Sequence, residues 1–195
     1  MKKNIHSILF GLSAAAVCGL LAAGCCASHK AGCCAKPACC ASSDTNSAPA
    51  PAAAAKPQLQ VVKVDSEETS GENGQGANAV DGDAGTLWHT QWQDASPECP
   101  HEIIIQLTPA TTIKGFTYLP RQDDSENGMI KDYEFYVSND GQEFGQPVAK
   151  GAFDGGKDLK TVTFAAKSCR YIKLKALSEL NGGAWTSAAE IGVVQ

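Results

Sequence analysis

The strongest constraint on the fold is a series of short apolar runs that starts at residue 59 and is interrupted by turn-forming residues. Residues 112–119 and 131–137 alternate apolar and polar side chains, and the second run ends in Ser-Asn-Asp-Gly. A period of two is typical of a strand with one face on a core, and Asn, Asp and Gly favour turns. Strands are predicted at 59–64, 101–107, 112–119, 131–137, 148–153, 160–164, 170–177 and 190–194. Eight short strands without a convincing amphipathic helix predict an all-β domain, either a sandwich or a jelly roll.

The first 24 residues have the pattern of an export signal. Lys2 and Lys3 precede an apolar stretch at 8–21, which is too short for a membrane span of roughly 20 residues. Leu-Ala-Ala-Gly-Cys at 21–25 resembles a bacterial lipoprotein signal, in which the cysteine is acylated and becomes the mature N-terminus. We predict a signal peptide at 1–24 and a lipid anchor on Cys25 at the cell envelope, on the outer membrane or cell surface. The alternative is an ordinary secretory signal cleaved near Ala23 or Ala27, and both readings place the protein outside the cytoplasm.

Residues 25–57 form a low-complexity tract of Ala, Pro, Ser and Cys. Because few large apolar side chains are present, we predict a flexible spacer between the anchor and a domain at 58–195. The tract contains three cysteine pairs, Cys25-Cys26, Cys33-Cys34 and Cys39-Cys40. Paired thiols can bind zinc or copper, but the usual two-residue gap between ligands is missing. Oxidised or interchain-linked cysteines are the alternative.

Two further cysteines, Cys99 and Cys169, stand alone inside the predicted domain. In an oxidising compartment two such cysteines are expected to pair. We therefore predict a disulfide between them.

The charge of the chain argues against nucleic acid as a partner. The formal charge is −5, and losing the two lysines of the signal would make it −7. Nucleic-acid binding requires a basic face. We predict no nucleic-acid partner, and membrane contact only through the lipid anchor.

The segment at 65–100 is long, polar and mostly without strand patterns, which is usual for functional or metal-held loops. Within it, residues 78–88 read Asn-Ala-Val-Asp-Gly-Asp-Ala-Gly-Thr-Leu-Trp, with two carboxylates and a hydroxyl around two glycines. Glycine lets the chain curl until oxygen atoms converge, and calcium takes six to eight oxygen ligands. The spacing indicates a calcium site, and a solvated acidic turn is the alternative.

This segment resembles the N-terminal signature of discoidin (coagulation-factor type C) domains and of carbohydrate-binding module family 32. The shared run is Asn-Ala-(apolar)-Asp-Gly-(Asp/Asn)-x-x-Thr-x-Trp. Further matches are Pro-His-Glu-Ile at 100–103, Tyr-Leu-Pro-Arg-Gln at 118–122, Arg-Tyr-Ile-Lys-Leu at 170–174 and Ala-Ala-Glu-Ile at 188–191. The resemblance covers nearly all of residues 59–195 in the right order. It implies a jelly-roll β-sandwich of the galactose-binding-domain-like kind.

The resemblance also implies a structural calcium ion that ties the long first loop to the last strand. Its ligands would be the carbonyl oxygens of Asn78 and Ala189 together with Asp81, Asp83, Thr86 and Glu190.

A site for galactose-type sugars is implied on loops at one end of the sandwich. A pyranose needs an aromatic face for its C–H side and planar polar groups for its hydroxyls. The implied residues are Glu72, His89, Trp92, Arg121, Asn127 and Trp185. Structural alternatives exist for several of them: Trp92 could cover the edge of the core, His89 could be a structural histidine, and Arg121 could pair with an acid at 123, 124 or 126.

Together these features predict a non-catalytic, lipid-anchored module that binds galactose-type glycans weakly at each site. Asp123, Asp124 and Glu126 could suggest a glycosidase, but consecutive acids on one loop are more simply a solvated turn. A phospholipid or protein binder is a further alternative, with Met129 and Leu180 as its best apolar loop residues. The last alternative is an envelope-assembly lipoprotein with the same fold and no sugar recognition.

Overall fold

The computed structural model describes residues 55–195. The predicted signal peptide at 1–24, the acylated Cys25 and the three cysteine pairs lie outside the described residues, as does most of the spacer at 25–57. Within the described part of the chain, no helix has the length and apolarity to cross a membrane.

Residues 55–195 contain eight strands and one 3-10 helix. They are β1 (Gln58–Val64), the 3-10 helix (Gly76–Val80), β2 (Trp88–His89), β3 (His101–Leu119), β4 (Asp132–Ser138), β5 (Ala149–Ala152), β6 (Lys160–Ala176), β7 (Ser187–Ala188) and β8 (Glu190–Val194). The all-β prediction is therefore confirmed. Two pairs of predicted strands are in fact single long strands, β3 and β6, because residues 111–113 of β3 pair with residues 167–169 of β6 between the predicted runs. The short strands β2 and β7 were not predicted, since two residues are too few to show alternation.

Strands β3 and β6 each contribute to both layers of a β-sandwich. The first half of β3 pairs with β1 and with residues 171–176 of β6, which in turn pair with β4 and then β5. The second half of β3 pairs with residues 160–163 of β6 and with β8. Register shifts separate the two halves, between Gln106 and Thr111 and between Ile113 and Gly115. Such irregularities bend strands, so one hydrogen-bonded sheet supplies both layers.

The core lies between these two layers. Phe116 on the second half of β3 stacks on Phe135 of β4, with ring centroids 4.1 Å apart. Both side chains are fully buried. Other fully buried core residues are Trp88, Ile103, Ile105, Ile172, Leu174 and Ile191. Burying each such side chain contributes about 1.5–3 kcal/mol, which gives a firm base for the loops that leave β3 at residue 119 and β6 at residue 176.

The predicted disulfide between Cys99 and Cys169 is wrong, because both thiols are free. Cys99 lies just before the start of β3 at His101, which pairs with Ala176 of β6, whereas Cys169 pairs with Thr111 farther along β3. The strand from 169 to 176 spans on the order of 20 Å, but a disulfide needs Cα atoms within about 7 Å. Strand register, which sets this separation, could not be predicted from the positions of two cysteines in the sequence.

Candidate functional site

A cleft of about 250 Å³ is formed by three loops of the domain, at 65–100, 120–131 and 177–186. Its lining residues are Glu72, His89, Trp92, Arg121, Ser125, Asn127 and Trp185. All six residues proposed for sugar binding therefore lie together, although the chain separates the first from the last by more than a hundred positions. Ser125 was not predicted, since nothing distinguishes it from other polar residues of its acidic loop. The cleft is smaller than the roughly 300–1,000 Å³ of a drug-sized site, which suits one small ring.

The buried carboxylate of Glu68 positions the first wall of the cleft. One of its oxygens accepts hydrogen bonds from the N–H groups of Ser70 and Gly71, at 2.7 and 2.9 Å. The other accepts from the N–H groups of Trp92 and Gln93, both at 2.8 Å. Bonds from Trp92 and Gly71 lower the pKa of Glu68 to about 2. Sequence reasoning missed Glu68, because an acid in a polar loop is normally solvated and only the folded loop buries it.

Trp92 lines the cleft with a partly exposed ring. Its side chain is 39% exposed, and its Nε1 donates to Oε1 of Glu72 at 3.0 Å. The ring lies against Gly71 so closely that a Cβ there would come within 2.5 Å of it. Trp92 is not part of the hydrophobic core cluster, and its ring surface in the cleft is available to a ligand.

His89 presents a hydrogen-bond acceptor to the cleft. Its Nδ1 lies 2.6 Å from the carbonyl oxygen of Thr90, which can only accept, so Nδ1 carries the proton. Burial lowers the pKa of His89, and the ring is therefore neutral at pH 7. Nε2 then carries a lone pair, and within residues 55–195 it has no hydrogen-bond partner. Strand β2 holds this residue opposite Ser187 of β7.

Arg121 is fixed by its own loop and still has donors to spare. Its Nε and Nη2 donate to the two carboxylate oxygens of Asp123, and its Nη1 donates to the carbonyl of Asn127 at 3.0 Å. The Asp123 hydrogen bond raises the pKa of Arg121, and the guanidinium lowers the pKa of Asp123. A guanidinium has five N–H groups, so two remain for a ligand. The pairing alternative and the binding role are thus compatible.

Asn127 combines a fixed backbone with a free side chain. Its N–H donates to Oγ of Ser125 at 3.1 Å, and its carbonyl accepts from Arg121 and from Oγ of Ser187. The side-chain amide has no hydrogen-bond partner among the described residues, and Asn127 is one of the residues that line the cleft.

Trp185 closes the other side of the cleft on a loop held by a second buried carboxylate. Oε2 of Glu179, a residue that is 3% exposed, accepts from the N–H groups of Asn181 and Gly183, at 2.7 and 2.8 Å. Like Glu68, Glu179 was not predicted from the sequence. The indole Nε1 of Trp185 is buried and has no partner in the described part of the chain.

A buried histidine ties this loop to the sheet. His101 is 1% exposed; its Nδ1 bonds to Oδ2 of Asp65 at 2.7 Å and its Nε2 to the carbonyl of Ala184 at 2.9 Å. Both partners accept, so both ring nitrogens carry protons. Burial by itself would lower the pKa of His101, but the hydrogen bonds to Asp65 and Ala184 outweigh it, and the pKa is raised. The ring therefore acts as a cationic link beside Trp185.

The residues proposed for calcium are also brought together. The N–H of Gly82 donates to Oε1 of Glu190 at 2.7 Å, and the hydroxyl of Thr86 donates to Asp81 at 2.7 Å. Burial and the nearby carboxylate of Asp81 raise the pKa of Glu190. The carboxylates of Asp81 and Asp83 each accept the N–H two residues farther on, from Asp83 and Gly85, both at 2.8 Å.

The donor set of this loop fits a hard cation. Two neighbouring carboxylates repel each other when both are ionised, and either a cation or protonation of one of them relieves this repulsion. Carbonyl and hydroxyl oxygens of the kind that bind calcium are close by. Among residues 55–195, no three His, Cys, Asp or Glu side chains form a metal-binding group. Any ion here would therefore rely on Asp81 and Glu190, on the Thr86 hydroxyl and on backbone carbonyls such as those of Asn78 and Ala189.

Comparison with solved structures finds the same fold in known binding modules. A family 32 carbohydrate-binding module from Clostridium perfringens, in complex with GalNAc-β-1,3-galactose, is 34% identical with a TM-score of 0.65 and covers 71% of this chain and 96% of that one. A second family 32 module from the same organism, in complex with galactose, is 29% identical with a TM-score of 0.61 and covers 71% and 97%.

Curated relatives match the same part of the chain. A sialidase of Micromonospora viridifaciens is 40% identical over 137 residues, which is 70% of this chain and 21% of the sialidase. A galactose oxidase of Gibberella zeae is 39% identical over 128 residues, which is 65% of this chain and 19% of the oxidase. The chain thus spans about a fifth of the length of these two enzymes.

The family model for the F5/8 type C domain matches residues 62–191, two thirds of the 195 residues. The jelly-roll sandwich described above is the fold of the structural neighbours, so sequence and structure agree. This chain belongs to the F5/8 type C (discoidin) domain family.

Proposed function

We propose that this protein is a non-catalytic carbohydrate-binding module that binds galactose-type residues of glycans in the cleft. The observation that carries the proposal is the meeting of two tryptophans with three polar side chains of complementary kinds. Trp92 and Trp185 stand beside His89, Arg121 and Asn127 in one small cleft. The two neighbouring modules with bound galactose-containing ligands support this assignment.

Each group has a separate part in recognising a pyranose. The ring of Trp92 offers an apolar face to the C–H groups of the sugar. Nε2 of His89 accepts a hydrogen bond from one hydroxyl, and the two unused N–H groups of Arg121 donate to hydroxyl oxygens. The amide of Asn127 can do both. Because Glu68, Asp123 and Glu179 already hold these loops, little ordering is needed on binding.

The affinity of one site is expected to be weak. A monosaccharide has about 12 heavy atoms, and at roughly 0.3 kcal/mol per atom it binds with about −4 kcal/mol, near a millimolar Kd. Retention on a glycan surface would therefore depend on several sites acting together.

Calcium is proposed as a structural ion of the same domain. Asn78, Asp81, Asp83, Thr86, Ala189 and Glu190 would hold it, with Asp83 contributing through its backbone. The ion would supply positive charge between the carboxylates of Asp81 and Glu190 and would join the first loop to β8. The 2.7 Å bond between Gly82 and Glu190 supports this, because it already brings the two segments together.

Export and lipid anchoring complete the proposal. The signal at 1–24, the anchor at Cys25 and the spacer at 25–57 would hold the domain at 58–195 outside the cytoplasm on the cell envelope. The charged n-region and the Ala-Gly-Cys sequence support this arrangement. The absence of catalysis is supported by the neighbouring binding modules, and by matches to enzymes that involve only about a fifth of their length.

The proposal is tested by titrating the purified protein with methyl β-galactoside and with the glucose epimer in a calorimeter. Trp92→Ala should weaken galactoside binding at least tenfold, because it removes the stacking face. Leu159→Ala is the matched control, since Leu159 is 55% exposed and lies outside the cleft. Absence of binding to any galactose-type ligand by the folded protein would reject the proposal.

A further inference from the structure

A second groove adjoins the cleft on the side of the loop at 81–88. It has a volume of about 470 Å³ and is lined by residues that include Asn73, Thr86, Gln122 and Asp123. Glu72 lines both the groove and the cleft, so the two spaces share a wall. A ligand seated in the cleft could therefore extend past Glu72 without leaving the protein surface.

The groove offers unused polar groups at its rim. The carbonyl of Asn73 accepts from the side chain of Asn78 at 2.7 Å, but the side-chain amide of Asn73 has no partner in the described residues. Gln122 uses its Nε2 to bond Pro120 and Lys157, which leaves its Oε1 free. Oε2 of Glu72 is likewise unpaired within residues 55–195, because Trp92 bonds only Oε1.

The wall of the groove is already ordered. Asp123 is held from two sides, by Arg121 through its carboxylate and by Nζ of Lys157 through its carbonyl. Gln122 is tied to the carbonyl of Lys157 at 3.0 Å. A ligand would therefore meet preformed hydrogen-bonding groups and would not have to order the loop.

The character of these groups defines the ligand. Amide and carboxylate oxygens with one amide N–H₂ suit hydroxyl groups, whereas an aromatic ligand would need a stacking partner. None of the described residues lining the groove is aromatic. The carboxylate of Glu72, which forms no ion pair among the described residues, would repel an acidic sugar.

We propose that this groove is a second subsite, which holds the neutral sugar residue joined to the galactose-type residue in the cleft. The inference rests on the proposed function, because the cleft must hold the first residue. It adds that the protein recognises a disaccharide unit, and that neutral units are preferred to acidic ones.

The test compares three kinds of ligand by calorimetry with the full protein. Methyl β-galactoside probes the cleft alone, a panel of neutral disaccharides with terminal galactose probes both spaces, and the same linkages to glucuronic acid probe charge. At least one neutral disaccharide should bind roughly fivefold tighter than methyl β-galactoside, as expected for one or two added hydrogen bonds. The glucuronic acid analogue should lose this gain.

The variant Asn73→Ala removes the free amide and keeps the backbone carbonyl that Asn78 uses. It should abolish the gain for the disaccharide and leave the Kd for methyl β-galactoside unchanged. Asn139→Ala is the matched control, because Asn139 is also exposed, follows the last residue of β4 and lines neither the groove nor the cleft. It should change neither Kd.

The outcomes separate the two proposals. If methyl β-galactoside binds and no disaccharide binds tighter, or if Asn73→Ala weakens both ligands equally, the second subsite is refuted and the cleft assignment stands. Tighter binding of the acidic analogue would overturn the charge preference. If no ligand binds at all, the proposed function fails and the subsite fails with it.

Discussion

The fully buried carboxylate of Glu68 accepts the backbone N–H of Trp92 at 2.8 Å, which joins two points of the chain 24 residues apart. The bond holds the backbone of Trp92 beside Glu68, which lies shortly before Glu72 in the chain. Placement of the stacking ring in the cleft therefore depends on a residue that does not line the cleft itself.

Glu68→Gln should weaken galactoside binding about tenfold and lower the Tm by roughly 5 °C or more. An amide offers one acceptor atom where the carboxylate offers two, so the N–H groups of Trp92 and Gln93, or those of Ser70 and Gly71, lose their partner. Calorimetry and thermal unfolding measure the two effects. Glu98→Gln, at an exposed acid on the same long segment, should leave both values unchanged. Wild-type affinity in Glu68→Gln would show that Trp92 is placed by other contacts.

The carboxylate of Glu68 should stay ionised, and keep its hydrogen bonds, until the pH falls well below the ordinary pKa of glutamate. Its folded pKa of about 2 lies below the unfolded value of 4.5, so its contribution is fully present above pH 4.5 and is lost as the pH falls towards 2. The Tm difference between the wild type and Glu68→Gln should therefore be constant from pH 7 to 5 and shrink between pH 4 and 2. A difference that keeps growing as the pH falls would contradict this.

Gly71→Ala should reduce galactoside affinity at least tenfold, because the new methyl group would lie 2.5 Å from the Trp92 ring and displace it. Gly155→Ala is the control, since a Cβ there meets only Leu180 at an ordinary 3.4 Å. Tryptophan fluorescence should shift in the first variant and not in the second. Unchanged affinity in Gly71→Ala would mean that the ring of Trp92 makes no contribution from its present position.

His101 should stabilise the domain more at low pH than at high pH. Its folded pKa is raised above the unfolded value of 6.5, so its contribution is present below pH 6.5 and is lost as the pH rises through the folded pKa. The Tm difference between the wild type and His101→Gln should be larger at pH 6 than at pH 9. NMR titration of the ring in Asp65→Asn provides the control, because removing the carboxylate should lower the pKa of His101. An unshifted titration in that variant would reject the ion-pair explanation.

Removal of calcium should lower the Tm by several degrees, since the ion would join the first loop to β8. EDTA followed by excess calcium should reverse the change, whereas magnesium should not. Asp81→Asn, which keeps the shape of the side chain, should abolish the response to calcium. An identical melting curve with EDTA and with calcium would remove calcium from the proposal.

The strands could be predicted because alternation is a local property of the sequence. The predicted strand at 190–194 has the bounds of β8, and the predicted strand at 59–64 differs from β1 only at its first residue. The family resemblance indicated Glu72, His89, Trp92 and Arg121 as residues of one site, and the structure places His89 in the short strand β2 and not on a loop. Motif order then indicated which loops meet.

The disulfide between Cys99 and Cys169 could not be judged in this way. Whether two cysteines meet depends on the register of β3 against β6, and register is set by the packing of the whole sheet. The same holds for the joining of predicted strand pairs into β3 and β6, since the connection through 107–112 depends on pairing between distant residues.

The amino-acid sequence by itself determined the all-β class, the family and the residue types of the cleft, because these follow from local pattern and motif. Only the tertiary structure decided which acids are buried. Glu68 and Glu179 look like solvated loop residues in the sequence, yet they are buried and accept the N–H groups that hold the loops in place. Asp65 stays partly exposed to solvent and accepts the proton of the buried His101. A carboxylate acquires such a role only when the folded chain removes water from it and surrounds it with donors, and that depends on contacts between residues far apart in the chain.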